Sequence, residues 1–415
     1  MNERIILNVW FISSNNSYMN DVITLFVDLF EKDHPQIKIN LELKHWNTVW
    51  DELLSTKGSN RAPDVVQIGS TWVGYLGQQG YLLGLNNTLN EVGGVEAFDD
   101  NMFRTCVQPG TGEIHALPWF IDVRGLYYRE DILQKKDLSV KDLSTWDSFI
   151  STCARINNFD IKGKKVPALG MGGGAKCGEL LHNIMPFVWA AGGDIYNEET
   201  KEVVVNSEAT LKGMEFFFNL FSQGLIPLHC LGLDCAQLTL EYFQGSYAIC
   251  VTNVIDVFSM AYTESFYNID IAKHCLATNF PTGPKGSFSF GGGSALGIMK
   301  NSLYPKEAWE FMRFLTGVEA QIYYAKSCGA IPAVKKAFNT HYFLTNPRFV
   351  AFNDILKQVR YYPVLSQWGK IEEVMVNRLF EVYMDIGQNQ GQCDNKLLHK
   401  QMNAAALEIK ELLKY

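Results

Sequence analysis

Aromatic side chains set beside amides, hydroxyls and carboxylates are the chemistry this sequence offers most clearly. Trp46, Trp72, Trp119 and Trp368 each fall in or beside an expected loop, close to Asn, Asp, Ser or Thr. A sugar presents C–H patches that stack on aromatic faces, and hydroxyls that need carboxylate, amide or hydroxyl partners. This mixture of residues therefore suits a carbohydrate. The competing reading for any tryptophan is core packing. For Trp46 and Trp72, at strand ends, binding stands level with it, whereas Trp10, Trp146, Trp189 and Trp309 read as structural.

Catalytic constellations are weak by comparison. There is no G-x-S-x-G elbow, no H-E-x-x-H and no G-x-x-x-x-G-K-S/T phosphate loop, and Gly283–Ser287 carries its lysine in the wrong place. A glycosidase needs two carboxylates at a set separation. Asp122, Asp147, Asp194, Glu215 and Glu241 are available, but no spacing selects a pair. The reading is a protein that performs no chemistry and needs no cofactor, with glycoside hydrolysis as the minor alternative. The glycine runs Gly172–Gly174 and Gly291–Gly293, the latter leading into Ser294, leave room for a ligand or another backbone, or simply form tight turns. Gly292 and Ser294 enter the candidate site on that basis.

The nine cysteines form no C-x-x-C pair and no zinc-like spacing. Buried free thiols acting as small hydrophobes are the plain reading. A disulfide stays open, and His229-Cys230 with Cys235 is set aside as a metal site.

The elements that must position these residues follow from periodicity. Ile5–Phe11 is an apolar run, Met19–Phe30 places its apolar residues on one helical face, and Ile37, Ile39, Leu41 and Leu43 alternate with polar residues. Thr48–Lys57 reads as helix and Val65–Ile68 as strand. Strands separated by helices predict a mainly parallel α/β sheet covered on both faces, with ligands beyond the carboxyl ends of the strands. That places residues 12–17, 45–47 and 69–72 at the site. Further along, a helix starting near Ser144 with Asp147 as its capping partner, a helix over Glu179–Ala191, and a helix from Ser207 ending at Gly224 form a second β/α series. After Ser302 the chain reads as nearly all helix. At 415 residues two to three domains are expected. The net charge of −8, without basic stripes, argues against nucleic acid as a partner. No apolar run reaches the ~20 residues of a membrane helix. No export signal precedes the first strand, which leaves a cytoplasmic protein or a leader lying outside this sequence.

Three stretches carry a family resemblance. They are Pro63-Asp64-Val65-Val66-Gln67-Ile68-Gly69-Ser70-Thr71-Trp72, the segment from Ala116 to Leu133 with Thr145-Trp146-Asp147 after it, and Tyr242 to Ile249. Ala190–Asp194 and Gly329–Pro332 support them. In order and spacing the chain resembles the extracellular solute-binding proteins of ABC sugar importers, of the maltose-binding type. That resemblance implies a two-lobed periplasmic-binding-protein fold with a helical C-terminal region and a ligand cleft between the lobes. Residues 1–120 and 280–330 would form one lobe, and 121–279 and 331–415 the other. It implies a carbohydrate ligand, a di- or oligosaccharide, delivered to a membrane permease by an exported monomer whose signal or lipoprotein leader is not in this sequence. A sensing lobe of a signalling receptor would bind the same ligands. By position, Ser14, Asn15, Thr71 and Trp72 match ligand-contacting loops, with Ser70 beside them. Asp122 matches an acidic acceptor of sugar hydroxyls, Trp368 a stacking platform, and Asn183 the ligand-facing end of a helix. The family's stacking tryptophan after the Ala-Met strand is replaced by Thr252-Asn253-Val254-Ile255, where Asn253 supplies hydrogen bonds instead. Neutral Ser14 and Asn15 replace the charges common in the first loop, and nine cysteines are many for an exported member.

Overall fold

The computed structural model describes residues 4–13, 17–57, 59, 61–173, 178–253 and 269–414. Strand Ile5–Ile12 runs parallel to Ile37–Lys44 on one side and to Val65–Gly69 on the other. Ile37–Lys44 begins with buried Ile37 and Ile39 alternating with exposed Lys38 and Asn40, as an edge strand must. Val65–Gly69 is buried throughout, because helices cover both faces and strands flank both edges.

Beyond Val65–Gly69 the sheet becomes mixed. Strand Ser289–Ile298 returns antiparallel to it and also pairs antiparallel with the long strand Leu117–Arg129. The far end of Leu117–Arg129 belongs to a second group of strands, pairing antiparallel with Ile249–Asn253 and with Cys275–Thr278. Ile249–Asn253 lies parallel to Leu169–Met171. The two lobes thus meet where the chain passes between them. Ile121–Val123 lies beside Gly291–Gly293, Ile331 pairs with Ile121, and Val359–Tyr361 adds to Ser289–Gly291.

Two cores flank this crossing. One gathers Leu7, Phe11, Phe26, Phe30, Trp119, Leu296 and Phe311. Helices Pro305–Leu315 and Val318–Cys328 pack there against helix Ser17–Asp33. The larger core includes Phe149, Leu169, Ile184, Phe187, Phe217 and Tyr247. It draws in helices Glu179–Ala191 and Glu208–Ser222, with Trp368–Gln388 laid over the first of them.

Several local expectations shift slightly. The helix expected from Ser144 is Trp146–Ile156, capped by Thr145 in a reciprocal pair with Ser148. The Ser/Asp capping box lies earlier, in Ser139 and Asp142. Thr145 wins because it adopts the extended backbone of a cap, whereas Ser144 has already turned. Helix Trp46–Ser55 starts two residues before the expected Thr48, which places Trp46 on its first turn. The eight described cysteines are all free thiols and seven are buried; Cys177 lies outside the described residues.

Candidate functional site

The turn Ser70–Trp72 and helix Val73–Gln78 leave the carboxyl end of Val65–Gly69, where an α/β sheet exposes its ligand-facing edge. Opposite them lie residues 361–365 and the first turn of Trp368–Gln388. A cavity between the two is lined by Ser70, Thr71, Gly291, Tyr361, Tyr362 and Trp368, among others. The sides approach closely: a Cβ on Gly74 would stand 3.1 Å from the Leu365 carbonyl oxygen. Trp368 is 2% exposed, and its ring lies 4.8 Å from that of Tyr362. Its Nε1 is buried without a hydrogen-bond partner.

Beside the cavity the Trp72 ring is flanked by Trp46 at 5.6 Å and Trp50 at 5.1 Å, and Trp50 meets Tyr75 at 5.5 Å. Trp46 is 42% exposed, so this aromatic ledge opens to solvent at one end.

Charged groups gather deeper. Asp122 and Arg124 share one face of Leu117–Arg129 because strand side chains alternate. Arg124 is buried, with Nη1 3.5 Å from Asp122 Oδ2. The same nitrogen donates to Cys235 Sγ at 3.5 Å, and that thiol donates to Asn253 Oδ1 at 2.6 Å. Asn253 stands opposite Arg124 in the ladder. Glu179 accepts from the Cys235 backbone N–H at 2.7 Å. Burial pushes its carboxyl above the ordinary range, opposed by Arg124.

One turn along, His182 stacks on Phe290 at 3.9 Å and bonds the Tyr362 hydroxyl through Nδ1 at 2.9 Å. Burial, reinforced by the Arg124 charge, holds His182 well below its usual range, so it is neutral. Its Nε2 lies 3.8 Å from Glu372 Oε1. Burial pushes Glu372 up to about 7, against a hydrogen bond from the Thr71 side chain. The cavity wall thus presents aromatic rings and hydroxyls, with the Glu372 carboxyl bonded behind Thr71.

The chain's relatives bear directly on such a cleft. Residues 26–350 match the sequence profile of bacterial extracellular solute-binding proteins. The chain belongs to that family. It is 21% identical to a binding protein of Brucella abortus over 363 residues, 86% of this chain and 84% of the relative. An ABC transporter-binding protein of Deinococcus radiodurans is 23% identical over 338 residues, 79% of this chain and 71% of that one. Among solved structures, maltose-bound MalE3 of T. maritima superposes with a TM-score of 0.85 at 18% identity, covering 98% of this chain and 100% of that one. A solute-binding protein of Agrobacterium radiobacter K84 in complex with ribitol gives 0.83 at 16% identity over 99% of both. Among the described residues no helix is long and apolar enough to cross a membrane.

In this solute-binding protein the cavity or its rim brings together Ser70, Thr71, Trp72, Trp46 and Trp368, with Asp122 opposite Gly292 in the neighbouring strand pair. Ser14 and Asn15 lie outside the described residues. Asn183 is buried, donating to the Gly172 carbonyl at 2.8 Å while its Oδ1 has no partner.

Two candidates need correction. Trp119 sits in a strand rather than a loop and is fully buried, its ring 4.7 Å from Tyr324 and edge-on to Phe11 and Phe26. Ser294 is also fully buried, and its hydroxyl accepts from Gln67 Nε2 at 2.9 Å inside the sheet. Both serve the scaffold.

Of the carboxylates considered for hydrolysis, all but Asp122 are engaged elsewhere or exposed. Asp194 takes Trp189 Nε1 and the guanidinium of Arg360, Glu215 holds His399, Glu241 holds Tyr247 and His229, and Asp147 faces solvent.

Sequence reasoning missed Arg124, Glu179, His182, Tyr361, Tyr362 and Glu372. Arg124 follows from Asp122 by the strand period. Glu179 shares the helix face of Asn183, and Glu372 that of Trp368, by i,i+4 spacing.

Proposed function

We propose that this protein captures a carbohydrate, a di- or oligosaccharide, in the cleft between its lobes and delivers it to the permease of an ABC importer by hinge closure. The observation that carries this reading is the cavity between Ser70–Thr71 and Tyr361–Trp368, where aromatic rings stand beside a buried indole N–H with no partner. Sugars fill such a site because one molecule supplies both the stacking surface and the hydroxyls. The maltose and ribitol complexes of the structural neighbours support the same class of ligand.

In this reading Trp368 and the Trp72 ledge stack on the sugar, while Asp122, Thr71 and Asn253 bond its hydroxyls. Residues 1–120 and 280–330 move as one lobe against 121–279 and 331–415, with the strands near 121, 291 and 331 as the hinge. Export beyond the membrane accompanies this role. Micromolar affinity corresponds to about −8 kcal/mol, which a few hydrogen bonds and one or two stacked rings supply.

The test is a melting-temperature screen against mono-, di- and oligosaccharides and polyols. A ligand at 100-fold its Kd adds about 2.7 kcal/mol of stability. A shift with a sugar that is recovered chemically unchanged supports a receptor. Sustained release of reducing ends would make it a hydrolase, and no shift across the panel would overturn the choice of ligand class.

A further inference from the structure

Thr71 lines the cavity, and its side chain bonds a carboxyl that does not. That carboxyl, Glu372, sits behind the wall. It is 8% exposed and follows Trp368 by one turn on the same helix face. The start of helix Glu179–Ala191 closes it in from the other side. A Cβ on Gly178 would stand 2.2 Å from Glu372 Oε1, and His182 Nε2 lies 3.8 Å from that oxygen. The carboxyl is thus packed between a helix start and the hydroxyl of Thr71.

Its surroundings favour the neutral acid. A carboxylate is stable in a protein interior where several donors or a cation meet it. Glu372 Oε2 has no hydrogen-bond partner, and among the described residues no lysine or arginine pairs with the carboxyl; Lys370 on the same helix is taken by Glu373. The titratable groups that face it are His182 and Tyr362. Burial, reinforced by the Arg124 charge, keeps His182 neutral, and burial keeps the Tyr362 phenol protonated. Burial likewise raises Glu372 to about 7.

A hydroxyl carries one proton. Beside a carboxylic acid that donates to its oxygen, Thr71 keeps its own O–H for a partner in the cavity. Beside a carboxylate, Thr71 turns that proton inward and offers the cavity only an acceptor. We propose that Glu372 is a positioning residue for ligand capture: from behind the cavity wall its carboxyl fixes the Thr71 hydroxyl so that Thr71 donates to a ligand oxygen. This inference rests on the sugar-binding reading and adds one feature to the ligand, an accepting oxygen at that place. Ring, glycosidic and hydroxyl oxygens of a sugar all qualify. Ionisation of Glu372 withdraws the donor, so affinity is full while the acid holds its proton and falls as pH rises through about 7.

The experiment is calorimetric titration of the whole protein from pH 5.5 to 8.5 in wild type, Glu372→Gln and Thr71→Val. The probes are maltose, cellobiose, ribitol and whichever further sugar raises the melting temperature. Wild-type affinity is expected to drop about three- to tenfold across that range, as the loss of one hydrogen bond gives. Glu372→Gln, whose amide is neutral and donates at every pH, keeps the low-pH affinity and flattens the profile. Thr71→Val, which has no hydroxyl, binds more weakly and shows no step; it carries the test if Glu372→Gln does not melt cooperatively. A flat wild-type profile, a step near pH 7 that survives in either variant, or an equal loss at every pH in a folded Glu372→Gln would overturn the inference and leave the sugar-binding reading standing. Binding of no sugar by titration or in the wider melting screen would remove both.

Discussion

The Glu372 carboxyl and the His182 imidazole face each other at 3.8 Å, and burial drives their proton affinities in opposite directions. The folded protein holds a proton on Glu372 up to about pH 7, while the unfolded chain releases it near the ordinary glutamate value of 4.5. Between those limits the native state binds more protons, so this group's contribution makes folding stability fall as pH rises. The full loss, on the order of 3 kcal/mol, is reached above pH 7 and vanishes below 4.5. His182 acts with the other sign: the unfolded chain takes a proton below about 6.5 that the native state refuses, so stability falls as pH drops. The two effects partly cancel between pH 4.5 and 6.5. Urea unfolding of wild type and Glu372→Gln across pH 4.5–8 should show a stability difference that grows in favour of the variant as pH rises. A difference independent of pH would contradict the assignment.

Stacking and hydrogen bonding should separate in the ligand affinity. Trp72 is held between Trp46 and Trp50, so its ring orientation is fixed before any ligand arrives. Trp72→Ala and Asp122→Ala are each expected to weaken sugar binding at least tenfold, measured by calorimetry, with cooperative melting retained. Unchanged affinity in both would relocate the site.

Much of this was legible in the sequence. The alternation in Ile37–Lys44, the helical face of Ser17–Asp33 and the buried run Val65–Gly69 are local patterns, and local patterns survive folding. So these elements, and the turn Ser70–Trp72 after Val65–Gly69, could be read directly. The deeper part of the site could not. Glu372 and His182 lie on two helices, 190 positions apart in sequence, and neither shows a spacing that marks it as paired. Tyr361 and Tyr362 reach the cavity only because Val359–Tyr361 joins Ser289–Gly291, a long-range pairing with no local signature. Trp119 misled for the converse reason. Its polar neighbours suggested a loop, but the strand period turns its ring into the core.

That correction is testable. Trp119 packs against Phe11, Phe26 and Tyr324 in the first lobe, well inside its hydrophobic cluster. Trp119→Ala should cost about 3–5 kcal/mol of stability, as large-to-small core changes do. Below the lowered melting temperature its sugar affinity should stay within about twofold of wild type. A selective loss of affinity without destabilisation would return Trp119 to the binding site.

Thiol reactivity gives an independent check on the packing. Burial pushes Cys106 and Cys275 up to about 12 and Cys235 up to about 11, so none of these is a thiolate near neutral pH. The thiolate is the reactive form. Titration with an aromatic disulfide reagent should leave these three unreacted in the native protein and label them fully in denaturant. Fast native labelling of Cys235, identified by peptide mapping, would show that the cleft wall opens readily.

The glycine run at the lobe crossing makes the last prediction. Gly293 adopts φ +149°, and a Cβ there would lie 2.1 Å from the Phe120 carbonyl oxygen, backbone that cannot swing aside as a side chain could. The register between Ser289–Ile298 and Leu117–Arg129 slips immediately afterwards, between Ser294 and Ala295, so the ladder is already irregular at this point. An alanine must therefore push apart two strands that connect the lobes. Gly293→Ala is expected to destabilise the fold by at least about 1–3 kcal/mol in chemical denaturation. Because the displaced strands are the ones that cross between lobes, it should also weaken ligand binding, though position 293 does not itself line the cavity. Wild-type stability in this variant would mean that the two strands are less tightly joined than their register indicates.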